Sequence, residues 1–371
     1  MKIALARGPG KYGGIFRRFR ALANYCESRH HDAVGLQLFA AQDGVEVDPI
    51  RTLNFSAAAI PADLWRATTV AEVLESLSPQ IDRVAIAIDA EKCDGVLAAD
   101  TDLKGLIVVA ASRRAGVPVT TFVASVASHD AAFEGHAATR YMPEVERYCL
   151  LESDQLIFPS RMAMAECSHP EMAMPPSSVI HNGIADEFFA ANADRDPSLV
   201  GAVMRLKAIK NPAALGRIAR ALSAHGVRLE LVSDRAHARP AILRAIDGVQ
   251  LVPATTDTLS LARFYARCRA VMCPSHFEAS GNVPMEALAS GTPAVVTRRM
   301  GISEIFPELG LGHLVVDVDD IDLSVERLLA APPISIDLRQ QLQRQFNWPA
   351  VCERILATCD GVETHARGAL S

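Results

Sequence analysis

The sequence predicts an α/β protein of two Rossmann-like domains facing each other across a cleft. Three observations carry that prediction. Short apolar, β-branched runs alternate with helical patterns along nearly the whole chain, which is the pattern of parallel sheets covered on both faces. The 371 residues suit about two domains at ~100 to 200 residues each. The alternation breaks once, near Pro175-Pro176 and the turn signal Asn182-Gly183, and the polar segment 191–197 follows.

Before the break, strands are expected at 2–6, 33–40, 84–88, 95–98, 117–122, 155–158 and 178–180. The first leads into GPGKYGG, residues 8–14, a literal G-x-G-x-x-G, and then into 15–22, whose apolar positions recur at helical spacing. That context admits a dinucleotide fingerprint, a structural turn, or a seat for another phosphate ligand. A dinucleotide site also needs an acidic residue about 20 positions on; Asp43 is the nearest match and falls late. After the break, strands are expected at 199–204, 228–232, 249–252, 270–273, 294–296 and 313–316. The last segment, from Asn347-Trp348-Pro349 onward, carries an aromatic and apolar stripe and reads as a docking helix. The expected division is a first domain at 1–180, a second at 181–346, and a terminal helix at 347–371 that returns to the first.

Composition excludes several classes. Half of the residues are hydrophobic, enough for buried cores, and no disorder-prone block occurs. The first 180 residues hold 17 basic against 22 acidic side chains and the rest 20 against 21, so neither half offers the basic face that nucleic acid requires. Lys11, Arg17, Arg18 and Arg20 form a local basic group, read as a solvated helix face or a weak contact with a membrane surface or phosphate. The eight cysteines never fall as C-x-x-C and read as reduced core residues without a zinc site. No run approaches the ~18 apolar residues of a membrane span and no signal peptide precedes the first strand, so a cytoplasmic location is expected.

The chemistry concentrates in residues 273–293, CPSHFEASGNVPMEALASGTP. A strand ends at Cys273, a polar loop carries Glu278 and Gly281, and a helix starts near Asn282 with Pro284 in its first turn, where proline is tolerated. Gly291 stops it. The free amides of Gly281, Asn282 and Val283 then point out of the carboxyl end of a sheet, where a diphosphate fits. Glu278 and Glu286 bracket that helix start and can accept hydrogen bonds from paired sugar hydroxyls. Arg205 and Lys210, five apart on a strand-to-helix loop, set a guanidinium fork and a point charge against an anion. Taken singly, any of these residues is an ordinary surface residue; their order along the chain sets them apart.

FEASGNVPMEALASGTPAV resembles the E-x7-E donor motif of the retaining glycosyltransferases of family four, which have the GT-B fold. Glu278, Gly281, Glu286, Ala287, Ala289, Gly291 and Pro293 match, while Ala279 and Ser280 stand where Gly-Phe is usual. Val179-Ile180-His181-Asn182-Gly183-Ile184, Met204-Arg205-Leu206 with Lys210, Leu231-Val232-Ser233-Asp234, Phe346-Asn347-Trp348 and the pair Gly13-Gly14 fall in the family's order. The resemblance implies a hexose donor carried on a nucleoside diphosphate, UDP foremost, and an acceptor hydroxyl on a small molecule or glycan. Glu286 would hold the ribose hydroxyls and Glu278 the hexose. Arg205 and Lys210 would grip the diphosphate, and the amides of Gly281, Asn282 and Val283 would hold the sugar and distal phosphate, with Gly14 in a loop facing diphosphate or acceptor.

The family often carries a histidine after its fifth strand, where Val123 stands here; His129, Asp130 and His136 follow and could share that role. Neither metal nor cofactor is expected. The D-x-D spellings at Asp100/Asp102, Asp194/Asp196, Asp317/Asp319 and Asp320/Asp322 are scattered copies of a common pair, and Arg205 and Lys210 supply the charge a metal would bring. Two alternatives stay open: a non-catalytic relative that only holds a sugar nucleotide, and a sugar-nucleotide epimerase.

Overall fold

Among the described residues, thirteen strands form two wholly parallel sheets. The computed structural model describes residues 1–7, 14–38, 49–55, 61, 64, 66–134, 140–168, 171–234 and 240–362. Contacts divide the chain into two compact units, Met1–His181 with Val351–Ser371, and Asn182–Ala350.

The first unit contains β1 (Lys2–Arg7), β2 (Asp32–Gln37), β3 (Thr52–Asn54), β4 (Gly95–Ala98), β5 (Val119–Phe122), β6 (Gln155–Phe158) and β7 (Ser177–Val179), in the order β3-β2-β1-β4-β5-β6-β7. The second contains β8 (Asp196–Val203), β9 (Arg228–Ser233), β10 (Gln250–Pro253), β11 (Cys268–Cys273), β12 (Ala294–Thr297) and β13 (Val315–Val316), in the order β10-β9-β8-β11-β12-β13. Every residue of β4, β5 and β12 is buried. Such strands are rich in apolar and β-branched residues because helices cover both faces of the sheet. In each sheet the chain builds outward from one central strand, then crosses to its other side and builds the opposite way, the doubly wound topology.

Two expectations are corrected. Residues 84–88 are not a strand; they lie in the helix Ser78–Ala90, whose buried side chains Ile81, Val84, Ala85 and Ile88 recur at helical spacing and whose first turn carries a proline. The edge position of the first sheet goes instead to β3, three residues that pair with Gly35, Leu36 and Gln37 of β2. Arg18 is not on a solvated face. It lies on the inward side of the helix Gly14–Ser28, is 4% exposed, and stacks over the Phe122 ring at 3.3 Å. Burial pulls its guanidinium down to about 9, against the opposing charge of Asp100. Of the glycine loop only Gly14, the first residue of that helix, is described; Lys11, Asp43 and His136 lie outside the described residues. The eight cysteines are free and buried. No helix among the described residues is long and apolar enough to cross a membrane.

The helix Trp348–Cys359 buries Val351, Cys352, Ile355, Leu356 and Cys359, and from Val351 onward the chain packs with the first unit. This is the terminal docking helix that the apolar stripe predicts.

Asp100, just beyond β4, ties the turn after that strand to the turn after β5. It is buried and accepts from Thr101 N at 3.0 Å and from Ser125 N and Oγ at 3.0 to 3.2 Å. Burial, with Asp102 adding to it, raises its carboxyl from the ordinary 3.8 to about 7. A carboxyl whose folded value is raised contributes stability that is complete below about pH 4 and lost as the pH rises toward 7, because only the unfolded chain has released the proton in that window. Between pH 4.5 and 7.5 the wild-type chain should therefore lose on the order of 2 kcal/mol more unfolding free energy than Asp100→Asn. Urea unfolding at the two pH values measures it, and identical pH slopes for the two proteins would refute the argument.

Candidate functional site

In the second sheet β8 and β11 are neighbours, yet the chain leaves them toward opposite edges. The crevice beyond the carboxyl ends of two such strands is where ligands bind in open α/β sheets. Arg205 and Lys210 follow β8, and Glu278, Gly281, Asn282, Val283 and Glu286 follow β11. The sequence therefore places seven of its candidate residues at one switch point.

The loop after β8 closes as a 3-10 turn at Ala208–Lys210. Asn211 follows in the left-handed region with φ 55° and caps the helix Pro212–Ser223 by accepting from Ala214 N at 3.2 Å. This turn fixes the backbone of Lys210, whose Nζ lies 3.1 Å from Glu278 Oε1. Ser275 Oγ donates to the same oxygen at 2.6 Å. Oε2 of Glu278 thus remains the half of the carboxylate able to take a ligand's hydroxyl. Arg205 is exposed; its carbonyl accepts from Lys207 N at 2.8 Å, and its side chain forms no ion pair or hydrogen bond among the described residues. It is a guanidinium held only by its backbone, suited to close on an anion.

The loop after β11 is stitched along its length to the segment after β12. Glu278 N donates to Arg299 O at 3.1 Å, Gly301 N to Glu278 O at 2.8 Å, Ile302 N to Ser280 O at 2.9 Å, and Thr297 Oγ1 to Ser275 O at 2.6 Å. Gly281 then takes φ 139° and ψ 73°, a region closed to other residues, and opens the helix Asn282–Ala289. No side chain among the described residues caps that helix, so its first amides keep their donors for something else. The far end is satisfied by arginines. Arg339 Nε donates to Ala289 O at 2.8 Å and Arg195 Nη2 to Gly291 O at 2.6 Å, which quiets the negative pole and leaves the positive pole bare.

Glu286, one turn into the helix, is 5% exposed. Tyr265 Oη donates to its Oε2 at 3.1 Å. Sequence reasoning did not find Tyr265, whose position on the helix Thr258–Arg267 reads as part of an apolar stripe. The available signal was that a buried tyrosine hydroxyl needs a partner. Cys273, at the end of β11, has its thiol pushed well up by burial and so stays protonated.

The two remaining candidates belong to the other unit. Gly14 begins the helix Gly14–Ser28. His129 lies on the helix Ala127–Glu134, its Nε2 3.3 Å from Glu166 Oε2, and the neighbouring carboxyl of Glu146 accepts from Ser128 N and Oγ. Val123, at the family's histidine position, is fully buried. No group of three or more His, Cys, Asp or Glu among the described residues is arranged to hold a metal.

Comparison with known proteins bears on this arrangement. Residues 197–331 match the family model for glycosyl transferases group 1, a span that contains all seven residues at the switch point. Glycogen synthase of Mycobacterium tuberculosis is 30% identical over 256 residues, 63% of this chain and 60% of that protein, so the match spans less than two thirds of the relative's length. Sucrose-phosphate synthase of Thermosynechococcus elongatus superposes with a TM-score of 0.74 over 96% of this chain and 98% of that one, at 19% identity. Anabaena HepE in complex with UDP and glucose superposes at 0.67 over 96% and 99%, at 17% identity. The fold is GT-B.

Proposed function

We propose that the protein is a retaining glycosyltransferase of the family-four type, moving a hexose from a nucleoside-diphosphate sugar to an acceptor hydroxyl without a metal. The observation that carries this reading is the convergence at the switch point. Arg205 and Lys210 follow β8, a carboxylate and an uncapped helix start follow the neighbouring β11, and Lys210 is paired with that carboxylate, Glu278. UDP is the favoured carrier, supported by a solved relative that holds UDP and glucose.

In the proposed reaction the bond between the anomeric carbon and the diphosphate oxygen breaks while the acceptor oxygen bonds to that carbon on the same face. The acceptor's proton passes to the departing phosphate oxygen. Charge develops on the diphosphate, and fixed donors aimed at it lower the barrier. Here those are Arg205, Lys210 and the amides of Gly281, Asn282 and Val283. Glu278, oriented by Ser275 and Lys210, accepts hexose hydroxyls, and Glu286, oriented by Tyr265, accepts those of the ribose. His129 is a candidate acceptor-side residue, and Gly14, the first residue of the helix Gly14–Ser28, is a candidate diphosphate- or acceptor-side residue.

Calorimetric titration of UDP, GDP, ADP and NAD in the presence of EDTA tests the donor site. One nucleoside diphosphate should bind, and Glu286→Ala should weaken it about tenfold or more, as expected when a charged hydrogen bond is removed. Binding of NAD alone, or of none, would overturn the reading. Release of free diphosphate only when an acceptor is present separates transfer from simple binding and from epimerisation.

A further inference from the structure

Asn182 follows β7 by three residues and lies about a hundred positions from the loop after β11, yet its side chain reaches that loop. Its Nδ2 donates to Ser280 Oγ at 3.1 Å and to Asn282 Oδ1 at 2.9 Å. The two acceptors flank Gly281, so one carboxamide spans the strained residue that opens the helix. The backbone presenting Asn182 is itself held. A Cβ on Gly183 would meet Trp348 Cδ2 at 2.4 Å, so only glycine lets the chain pass the indole this closely. Ile184 N then donates to Phe346 O at 2.7 Å, and Ile184 pairs with Asn347 in a parallel bridge.

A carboxamide carries an acceptor at one end and two donors at the other. With Oδ1 of Asn282 held toward Asn182, what that side chain can offer an anion is its NH2, which has no partner among the described residues. We propose that Asn182 is a positioning residue for the diphosphate, fixing the Asn282 carboxamide so that its NH2, and not its oxygen, joins the amides of Gly281, Asn282 and Val283. Released from Asn182, the carboxamide would turn freely, and its oxygen would face the anion in part of the population. The donor role of Asn182 depends on Ser280 as acceptor at the position where the resembled motif has phenylalanine, which could not accept an N–H. This inference rests on the donor-site reading above.

The test is a double-mutant cycle on Asn182→Ala and Asn282→Ala, read by calorimetric affinity for UDP and for UMP, with thermal unfolding alongside. Asn282→Ala should weaken UDP about tenfold, the loss of one hydrogen bond to a charged group. Asn182→Ala should weaken UDP several-fold, and the double variant should be no weaker than Asn282→Ala alone. UMP, without the distal phosphate, should be nearly unaffected by either. A general loss of structure would weaken both ligands and lower the unfolding temperature together. Asn182→Ser serves as a second variant and should behave as Asn182→Ala does. Additive losses, equal losses for UMP and UDP, or wild-type affinity in Asn182→Ala would each overturn the proposal while the donor site stands. A wild-type protein that binds neither ligand would overturn the donor site, and this inference with it.

Discussion

Arg205→Ala is expected to lower kcat by about 10²- to 10³-fold, the usual effect of removing one fixed donor from a developing anion, with no measurable change in unfolding temperature. Both halves of that expectation follow from where Arg205 sits. It is exposed, its side chain has no partner among the described residues, and such a surface side chain contributes within about 0.5 kcal/mol to stability. Its guanidinium can therefore act only when an anion arrives. A charge that meets the anion more strongly in the transition state than in the ground state lowers kcat when removed, rather than raising KM alone. Lys210→Ala provides the contrast. Lys210 already bonds Glu278 at 3.1 Å, so its loss leaves that carboxylate held by Ser275 alone and should disturb sugar binding as well as diphosphate stabilisation. Steady-state kinetics on both variants, with Tm measured on each, decides the matter. An Arg205→Ala enzyme with full kcat would remove the guanidinium from the proposed mechanism.

How much of this was legible beforehand differs between strands, loops and contacts. The strands were readable where burial on both faces writes a short run rich in apolar and β-branched residues, as in β4, β5 and β12. Residues 84–88 misled because Val84, Ile86 and Ile88 are β-branched or apolar at alternating positions, which satisfies a strand template. Only the buried set Ile81, Val84, Ala85 and Ile88, with Ile86 left 69% exposed, shows that the period is helical. β3 has three residues and no apolar run of its own; its partner strand makes it a strand. For the candidate site, what was legible is the local placement of its residues: Glu278, Gly281 and Glu286 around one helix start, and Arg205 and Lys210 around one turn. What sequence could not supply were the partners that orient those groups. Tyr265 reaches Glu286 across 21 positions, and Asn182 reaches Ser280 across 98. Such pairings arise from packing, and neither partner carries a local mark of it. Arg18 illustrates the converse, since a helix face rich in arginine reads as solvated whether or not one of them turns inward onto Phe122.

Gly281→Ala should be the more damaging change at the helix start, combining a stability loss of about 2 to 4 kcal/mol with a donor affinity reduced at least tenfold. The two effects have separable causes. At φ 139° any side chain is strained, and a Cβ there would stand 2.5 Å from Ile302 Cγ2. Ile302 cannot easily give way. It is 2% exposed, β-branched and so stiff at χ1, and its own amide is bonded to Ser280 O. Relief must come from the loop itself, by rotating Gly281 and with it the amides of Asn282 and Val283 that are proposed to hold the diphosphate. Gly291→Ala is the internal control. That residue also has positive φ, 85°, but the nearest atoms to its Cβ are 3.8 Å away, on Arg339, and it lies at the opposite end of the helix. It should lose on the order of 1 kcal/mol of stability and keep its affinity for the donor. Urea unfolding and calorimetry on the two variants distinguish a general intolerance of alanine at positive φ from a specific demand at the helix start. Equal affinity losses in both would mean that the helix start is not where the ligand is held, since only one of the two glycines sets its amides.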